Sequence, residues 1–193
     1  MYSKFFSPHP TLYTSRLKLR LVKRSDAYEL YDFCKRPETS KFAKWEPHSS
    51  LYDTKQYINW KLSQHRKAKC TSFIVTDKND NNILGTCSYV NLDLNSKSAE
   101  IGYSIRSECW GNGYAPEAAS ALIWYGFEIM KLQRIYARVV AENVQSIRVL
   151  EKLGMEYEGT HKKEYYFNGK TADIKVYAMT DDAYFKGVKY SEI

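Results

Sequence analysis

The chain contains no C-x-x-C pair, its four cysteines (Cys34, Cys70, Cys87 and Cys109) lie far apart, and its four histidines show no ligand-like spacing. A structural zinc site is set aside on that ground, and no metal is assigned. Cys109 sits beside a glycine loop but has no local histidine to act as its base, so it reads as a free thiol rather than a nucleophile. No apolar stretch is long enough to cross a bilayer, and residues 1–10 lack the apolar core of a secretory signal. The expectation is a cytoplasmic protein with no membrane partner. There is no G-x-x-x-x-G-K-[ST] motif, and Gly111-x-Gly113 runs into Pro116 where a Rossmann fingerprint needs Gly or Ala, which argues against nucleotide-dependent enzymes. Nor is there a dense basic run. The net charge of +7 comes from scattered residues, which suits a phosphorylated cofactor or an acidic partner and gives nucleic acid only weak support.

No linker, repeat or low-complexity segment interrupts the 193 residues, so one domain over 1–193 is expected, with residues 1–11, carrying Pro8 and Pro10, as an extended N-terminal arm. The run Arg16-Leu17-Lys18-Leu19-Arg20-Leu21 alternates strictly and predicts a half-buried strand. Ser25-Asp26 opens a helix to about Lys35, and Ser50 with Asp53 forms a capping box for a second helix to about Lys67. Residues 71–77 and 83–92 predict a hairpin across a polar turn, and 99–105 a further strand. A helix follows Pro116, placed at the first helical position, with Ala119, Leu122, Ile123, Gly126 and Ile129 or Met130 on one face. Residues 134–140 alternate as a strand. A short helix over 146–153 ends at Gly154, and two last strands flank Asn168-Gly169, a hairpin signal. The order predicts a mixed sheet with helices on both faces, in an α/β or α+β domain.

Residues 110–115 read Trp-Gly-Asn-Gly-Tyr-Ala and open directly onto the Pro116 helix. Two glycines tolerate positive φ and let a ligand approach the backbone, and N–H groups at a helix N-terminus favour negative charge. A plain loop before a helix would look the same from this segment alone.

Two more segments carry the reading further: Ala99-Glu100-Ile101-Gly102-Tyr103-Ser104-Ile105, which feeds the loop, and Ala141-Glu142-Asn143-Val144-Gln145-Ser146 followed by Val149-Leu150-Glu151-Lys152-Leu153-Gly154-Met155. In this combination and order, across about residues 12–180, the chain resembles the GNAT superfamily of acyl-CoA-dependent N-acetyltransferases, and within it the RimJ/RimL-type branch, which includes ribosomal-protein N-terminal acetyltransferases. The resemblance implies a mostly antiparallel sheet of six to seven strands with a splayed central parallel pair. It implies acetyl-CoA as co-substrate, with CoA as product, and a primary amine as acceptor: the α-amine of a protein, or a small molecule such as a polyamine, amino acid or aminoglycoside. A non-catalytic acyl-CoA sensor is a further alternative, and a homodimer is retained as a candidate assembly.

By the same resemblance, backbone amides of Trp110, Gly111, Asn112, Gly113, Tyr114 and Ala115 cradle the CoA diphosphate, with Trp110 where the superfamily pattern begins with Gln or Arg. Backbone groups of Tyr103 and Ile105 hold pantetheine and the acetyl carbonyl, and a strand N–H there would stabilise developing oxyanion charge. Asn143 matches a pantetheine contact, and it is also an ordinary N-cap ahead of a short helix. Ser146 could face the thioester sulfur or bond its own helix turn. Many superfamily members carry a tyrosine acid where this chain has Leu150, which moves Ser146 up as proton donor. A glutamate used by some RimL-like relatives falls at Tyr165, and strand alternation turns the neighbouring Glu164 to the other face unless a bulge intervenes. Glu100 is the candidate base, with a structural carboxylate as the alternative. The acceptor region is assigned to residues 25–67, which hold Trp45, Glu46, His48, Tyr52, Tyr57 and Trp60, and to the Asn168-Gly169 hairpin. Aromatics of this kind also simply pack a helix pair.

Overall fold

Each change of sequence periodicity becomes a change of element. The computed structural model describes residues 3–43, 45–67, 69, 71–80, 82–167 and 169–187. In chain order these form α1 (Ser3–Phe6), β1 (Leu12–Tyr13), β2 (Leu17–Arg20), α2 (Ala27–Cys34), α3 (Pro37–Ser40), α4 (Leu51–Arg66), β3 (Ser72–Asp77), β4 (Ile83–Asp93), β5 (Ser98–Ile105), α5 (Tyr114–Trp124), β6 (Arg134–Val140), α6 (Val144–Lys152), β7 (Glu156–Phe167), β8 (Lys170–Thr180) and α7 (Asp181–Gly187). The sheet has eight strands in the order β1-β2-β3-β4-β5-β6-β8-β7, against the six to seven expected. β5 and β6 pair in parallel; the other described registers are antiparallel.

Two compact units share the chain: one up to Ser88 together with Tyr103–Ala121, the other Tyr89–Gly102 together with the residues from Leu122 onward. In the first, the alternation of β2 buries Leu17 and Leu19 completely. Leu30 and Phe33 of α2 meet Ile58 of α4, Ile74 and Ile83. The α4 start is the capping box the sequence predicts: Ser50 Oγ accepts from the Asp53 amide at 3.3 Å while the Asp53 carboxylate accepts from the Ser50 amide at 2.9 Å. The N-terminal segment differs from the extended arm expected. Residues 3–6 make a helical turn, Phe6 is fully buried, and the His9 ring stands 4.7 Å from that of Phe73. Burial of an aromatic side chain outweighs the extended bias of Pro8 and Pro10.

In the second unit, Ile135 and Ala137 of β6 and Tyr177 and Met179 of β8 are buried, as are Ile147 and Leu150 of α6. Arg134, Tyr136 and Arg138 alternate with the buried residues of β6 and are only half-buried. α6 ends in a Schellman motif, with the Gly154 amide donating to Glu151 O at 3.0 Å and the Met155 amide to Leu150 O at 3.1 Å. A π turn over Tyr125–Ile129 follows α5, closed by the Met130 amide on Tyr125 O at 3.0 Å. It inserts one residue into the helical period, so Met130 is buried and Ile129 is 44% exposed.

Candidate active site

β5 ends at Ile105, and the chain is then held firmly before the glycine loop. Arg106 is buried: its amide donates to Leu84 O at 2.8 Å, its Nε to Ile83 O at 2.6 Å, its Nη2 to Glu29 O at 2.8 Å and its Nη1 to Asp32 at 2.6 Å. The Asp32 carboxyl is held well below the usual range, first by Arg106 and then by Lys35. A 3-10 turn over Ser107–Cys109 follows, and the Trp110 indole N–H folds back onto Ile105 O at 2.7 Å. Trp110 is thus a bracket for the loop, and its backbone amide is already bonded to Ser107 O at 3.1 Å. This corrects the cradle membership expected of Trp110: its amide is not available to a ligand.

The remaining loop amides are available. Gly111 and Gly113 both adopt φ of +79°, and nothing lies within 4 Å of a Cβ placed on Gly111. Among the described residues, no protein acceptor takes the amides of Gly111, Asn112, Gly113, Tyr114 or Ala115. The last two belong to the first turn of α5, whose N–H groups have no intrahelical partner. Pro116 is the third residue of α5 rather than the first; its missing N–H is still one the helix would leave unbonded. Five free donors around two left-handed glycines suit a diphosphate, which carries charge and many acceptor oxygens.

The second unit carries Glu100, Asn143 and Ser146, while Tyr103 and Ile105 belong to the first. The parallel register between β5 and β6 runs Ser98↔Arg134, Ala99↔Ile135 and Glu100↔Tyr136. Among the described residues of this unit it goes no further, whereas β6 continues to Val140, still paired with Ile174 of β8. Glu100 therefore lies at the point where the parallel pairing stops. Its carboxylate accepts from Asn91 Nδ2 at 2.5 Å. The Tyr136 phenol is pushed up by burial and then by the Glu100 charge. Arg138 is raised, chiefly by its hydrogen bond to Glu164 and more weakly by Glu100.

Asn143 is the N-cap of α6, and its Oδ1 accepts from the Ser146 amide at 3.1 Å. Its carbonyl oxygen is thereby engaged in the capping role. Ser146 is half-buried in the first turn of that helix, and Leu150, one turn on, is buried. Tyr103 is half-buried and Ile105 buried on β5.

Glu164 differs from expectation. Between His161↔Ile174 and Tyr165↔Ala172, β7 advances four residues while β8 advances two, with Lys163 at φ of +52°. This bulge turns Glu164 towards Arg138 Nη2 at 2.9 Å and His161 Nδ1 at 3.1 Å. Arg134, Tyr136, Arg138, Glu158, Gly159, His161 and Val176 line an open groove of about 410 Å³ there.

The aromatics of residues 45–60 mostly pack. Trp45 and Tyr57 sit on the α2–α4 core, and the His48 ring lies 5.7 Å from that of Tyr57. Tyr52 and Trp60 alone are well exposed among the aromatics named there. Asn168 of the hairpin and Cys70 lie outside the described residues. Cys34 and Cys109 are not poised for nucleophilic attack: burial lifts Cys34 to about 12 and, with Glu108, raises Cys109.

Sequence reasoning missed Arg16 and Glu117. Glu117, in the first turn of α5, accepts from Thr14 Oγ1 (2.6 Å), Ser15 Oγ (3.1 Å), and the amide (3.0 Å) and Nε (2.7 Å) of Arg16. Burial pushes the Glu117 carboxyl up, but those bonds outweigh it and leave it below the ordinary value. A contact 101 residues long leaves no local signal.

A glycine turn with unbonded amides, fed by a strand whose parallel pairing stops short and opening onto a helix, is the plan of an acyl-CoA-dependent N-acyltransferase. Residues 16–156 match the family model described as acetyltransferase (GNAT) domain, and the chain belongs to that family. It is 31% identical over 180 residues to the ribosomal protein uS5-alanine N-acetyltransferase of Escherichia coli K12, covering 90% of this chain and 92% of that one. It is 26% identical over 161 residues to the spermidine N(1)-acetyltransferase of Vibrio cholerae, covering 83% and 91%. An acetyltransferase of the same family from Bacillus anthracis superposes with a TM-score of 0.80 at 27% identity, covering 90% of this chain and 99% of that one. The protein is an acetyl-CoA-dependent N-acetyltransferase.

Proposed function

We propose that the acceptor is the N-terminal α-amine of a protein or peptide, acetylated by direct attack in a ternary complex. The observation that carries the cofactor half is the set of unbonded amides at residues 111–115. These, from Gly111, Asn112, Gly113, Tyr114 and Ala115, hold the diphosphate; the backbone of Tyr103 and Ile105 in the same unit, and Asn143 in the other, are the pantetheine contacts that the family resemblance implies. Acetyl-CoA supplies the activated acyl group as a thioester.

An α-amine titrates near ~8 and a lysine amine near ~10.4, so the α-amine needs less help to reach its neutral, nucleophilic form. Glu100, free to accept on one oxygen while Asn91 holds the other, takes the proton that the acceptor nitrogen loses as the N–C bond forms. Ser146 Oγ passes a proton to the sulfur as the C–S bond breaks and regains one from solvent, to which Glu100 gives up the proton it took, so both groups end as they began. Proximity in the ternary complex supplies much of the rate, and no covalent acyl-enzyme is needed. The relative that acts on ribosomal protein uS5 alanine supports this acceptor; the spermidine acetyltransferase supports a small-amine reading.

Steady-state thiol release with acetyl-CoA, comparing an alanine-terminated peptide, its N-blocked form and spermidine, separates the two. The proposal expects turnover of the free peptide that blocking abolishes. Turnover of spermidine with none of the peptide overturns it.

A further inference from the structure

Arg16, which precedes β2, reaches the glycine loop from a distant part of the sequence. Its Nη1 donates to Asn112 O at 2.9 Å, its guanidinium lies 4.7 Å from the Tyr114 ring centroid, and its Nη2 lies 3.4 Å from where a Cβ on Gly113 would sit. Glu117 fixes the other edge of the guanidinium, with Nη2 at 2.5 Å and Nε at 2.7 Å. In a trans peptide, the carbonyl and the N–H that follows it point in opposite directions. Drawing Asn112 O towards Arg16 therefore aims the Gly113 amide away from it. Gly113, at φ of +79°, has the backbone freedom of glycine, so this peptide is one the loop's own side chains do not fix. The only cation bonded to this loop comes, among the described residues, from outside it.

We propose that Arg16 is a positioning residue for the cofactor: clamped by Glu117, it holds the Asn112–Gly113 peptide so that the Gly113 amide is already oriented towards a diphosphate before the ligand binds. The inference rests on the cradle reading above. Pre-orientation removes an ordering cost from binding, so its loss falls on affinity for CoA rather than on the chemical step.

The test uses the full chain labelled with ¹⁵N-glycine, in the parent, Arg16→Ala and Arg16→Lys forms, titrated with CoA by calorimetry and by amide spectra. The Gly113 signal is assigned by its loss in Gly113→Ala. CoA affinity should fall about tenfold or more in Arg16→Ala. Its Gly113 amide should shift in the CoA-free state and respond less to CoA, while signals from Gly126 and Gly154 report an intact fold. Arg16→Lys should recover part of the affinity, because an ammonium still reaches one acceptor but cannot bridge two. A folded Arg16→Ala protein with parental affinity and an unchanged Gly113 response overturns the role of Arg16 and leaves the cradle standing. A parent protein whose Gly113 amide ignores bound CoA removes the cradle, and this inference with it.

Discussion

Glu100 is the residue on which the proposed proton transfer turns, because it sits where the parallel register stops and Asn91 occupies only one of its oxygens. Glu100→Gln keeps the shape and removes the basicity. It should lower kcat by about 10²–10³, within the usual range for a general base, with CoA affinity unchanged by calorimetry; parental kcat would reduce Glu100 to a structural carboxylate. Ser146→Ala should leave its helix in place, since the cap bond uses the Ser146 amide and not the hydroxyl, and should lower kcat while KM for acetyl-CoA moves little. A second residue-scale effect concerns stability. Burial, ahead of the nearby His65, lowers His9 from 6.5 to about 4. A histidine depressed in the folded state costs stability as pH falls, because the unfolded chain takes up the proton first. The loss begins near pH 6.5, is complete near pH 4 and amounts to about 3 kcal/mol; His48, lowered by burial, adds in the same sense. Urea denaturation at several pH values should show His9→Phe flattening this limb relative to the parent. Equal pH slopes in both proteins would contradict the assignment.

At the scale of elements, most of the order was legible because local rules and tertiary packing agree. β2 follows from the alternation that buries Leu17 and Leu19, α4 from the Ser50–Asp53 box, and the end of α6 from Gly154. What could not be read is what register and distance decide. The β7 bulge depends on Asp173, whose carboxylate accepts from the Lys163 amide at 2.9 Å and from Lys162 at 2.9 Å, a cross-strand arrangement that reverses the facing expected of Glu164. The π turn after α5 rests on packing around Gly126, where a Cβ would stand 2.6 Å from Ile135 Cδ1. Gly85 is a comparable case: a Cβ there would overlap the backbone carbonyl of Ser104, so β4 and β5 approach as only glycine permits. Gly85→Ala should destabilise by at least about 2–3 kcal/mol, since backbone cannot move aside as a side chain can. A drop in thermal midpoint of less than a degree or two would show that the strands part freely. The candidate site was legible as motif, in residues 110–115, but its support was not, because Arg106, Arg16 and Glu117 act through partners far along the chain.

For the whole molecule, the family is settled by the match over residues 16–156, and the charge of +7 fits an anionic co-substrate. No helix among the described residues is long and apolar enough to cross a membrane. Cofactor binding and the proposed transfer both depend on the glycine loop being a diphosphate cradle. Calorimetric titration of CoA into the parent and Gly113→Asp proteins, with folding checked by circular dichroism, tests this most directly. Aspartate at this position adds a side chain at positive φ and a negative charge beside the amides. CoA affinity should fall by about 10²-fold or more, as expected for a charge-assisted contact replaced by repulsion; a folded Gly113→Asp protein that binds CoA as the parent does would contradict it.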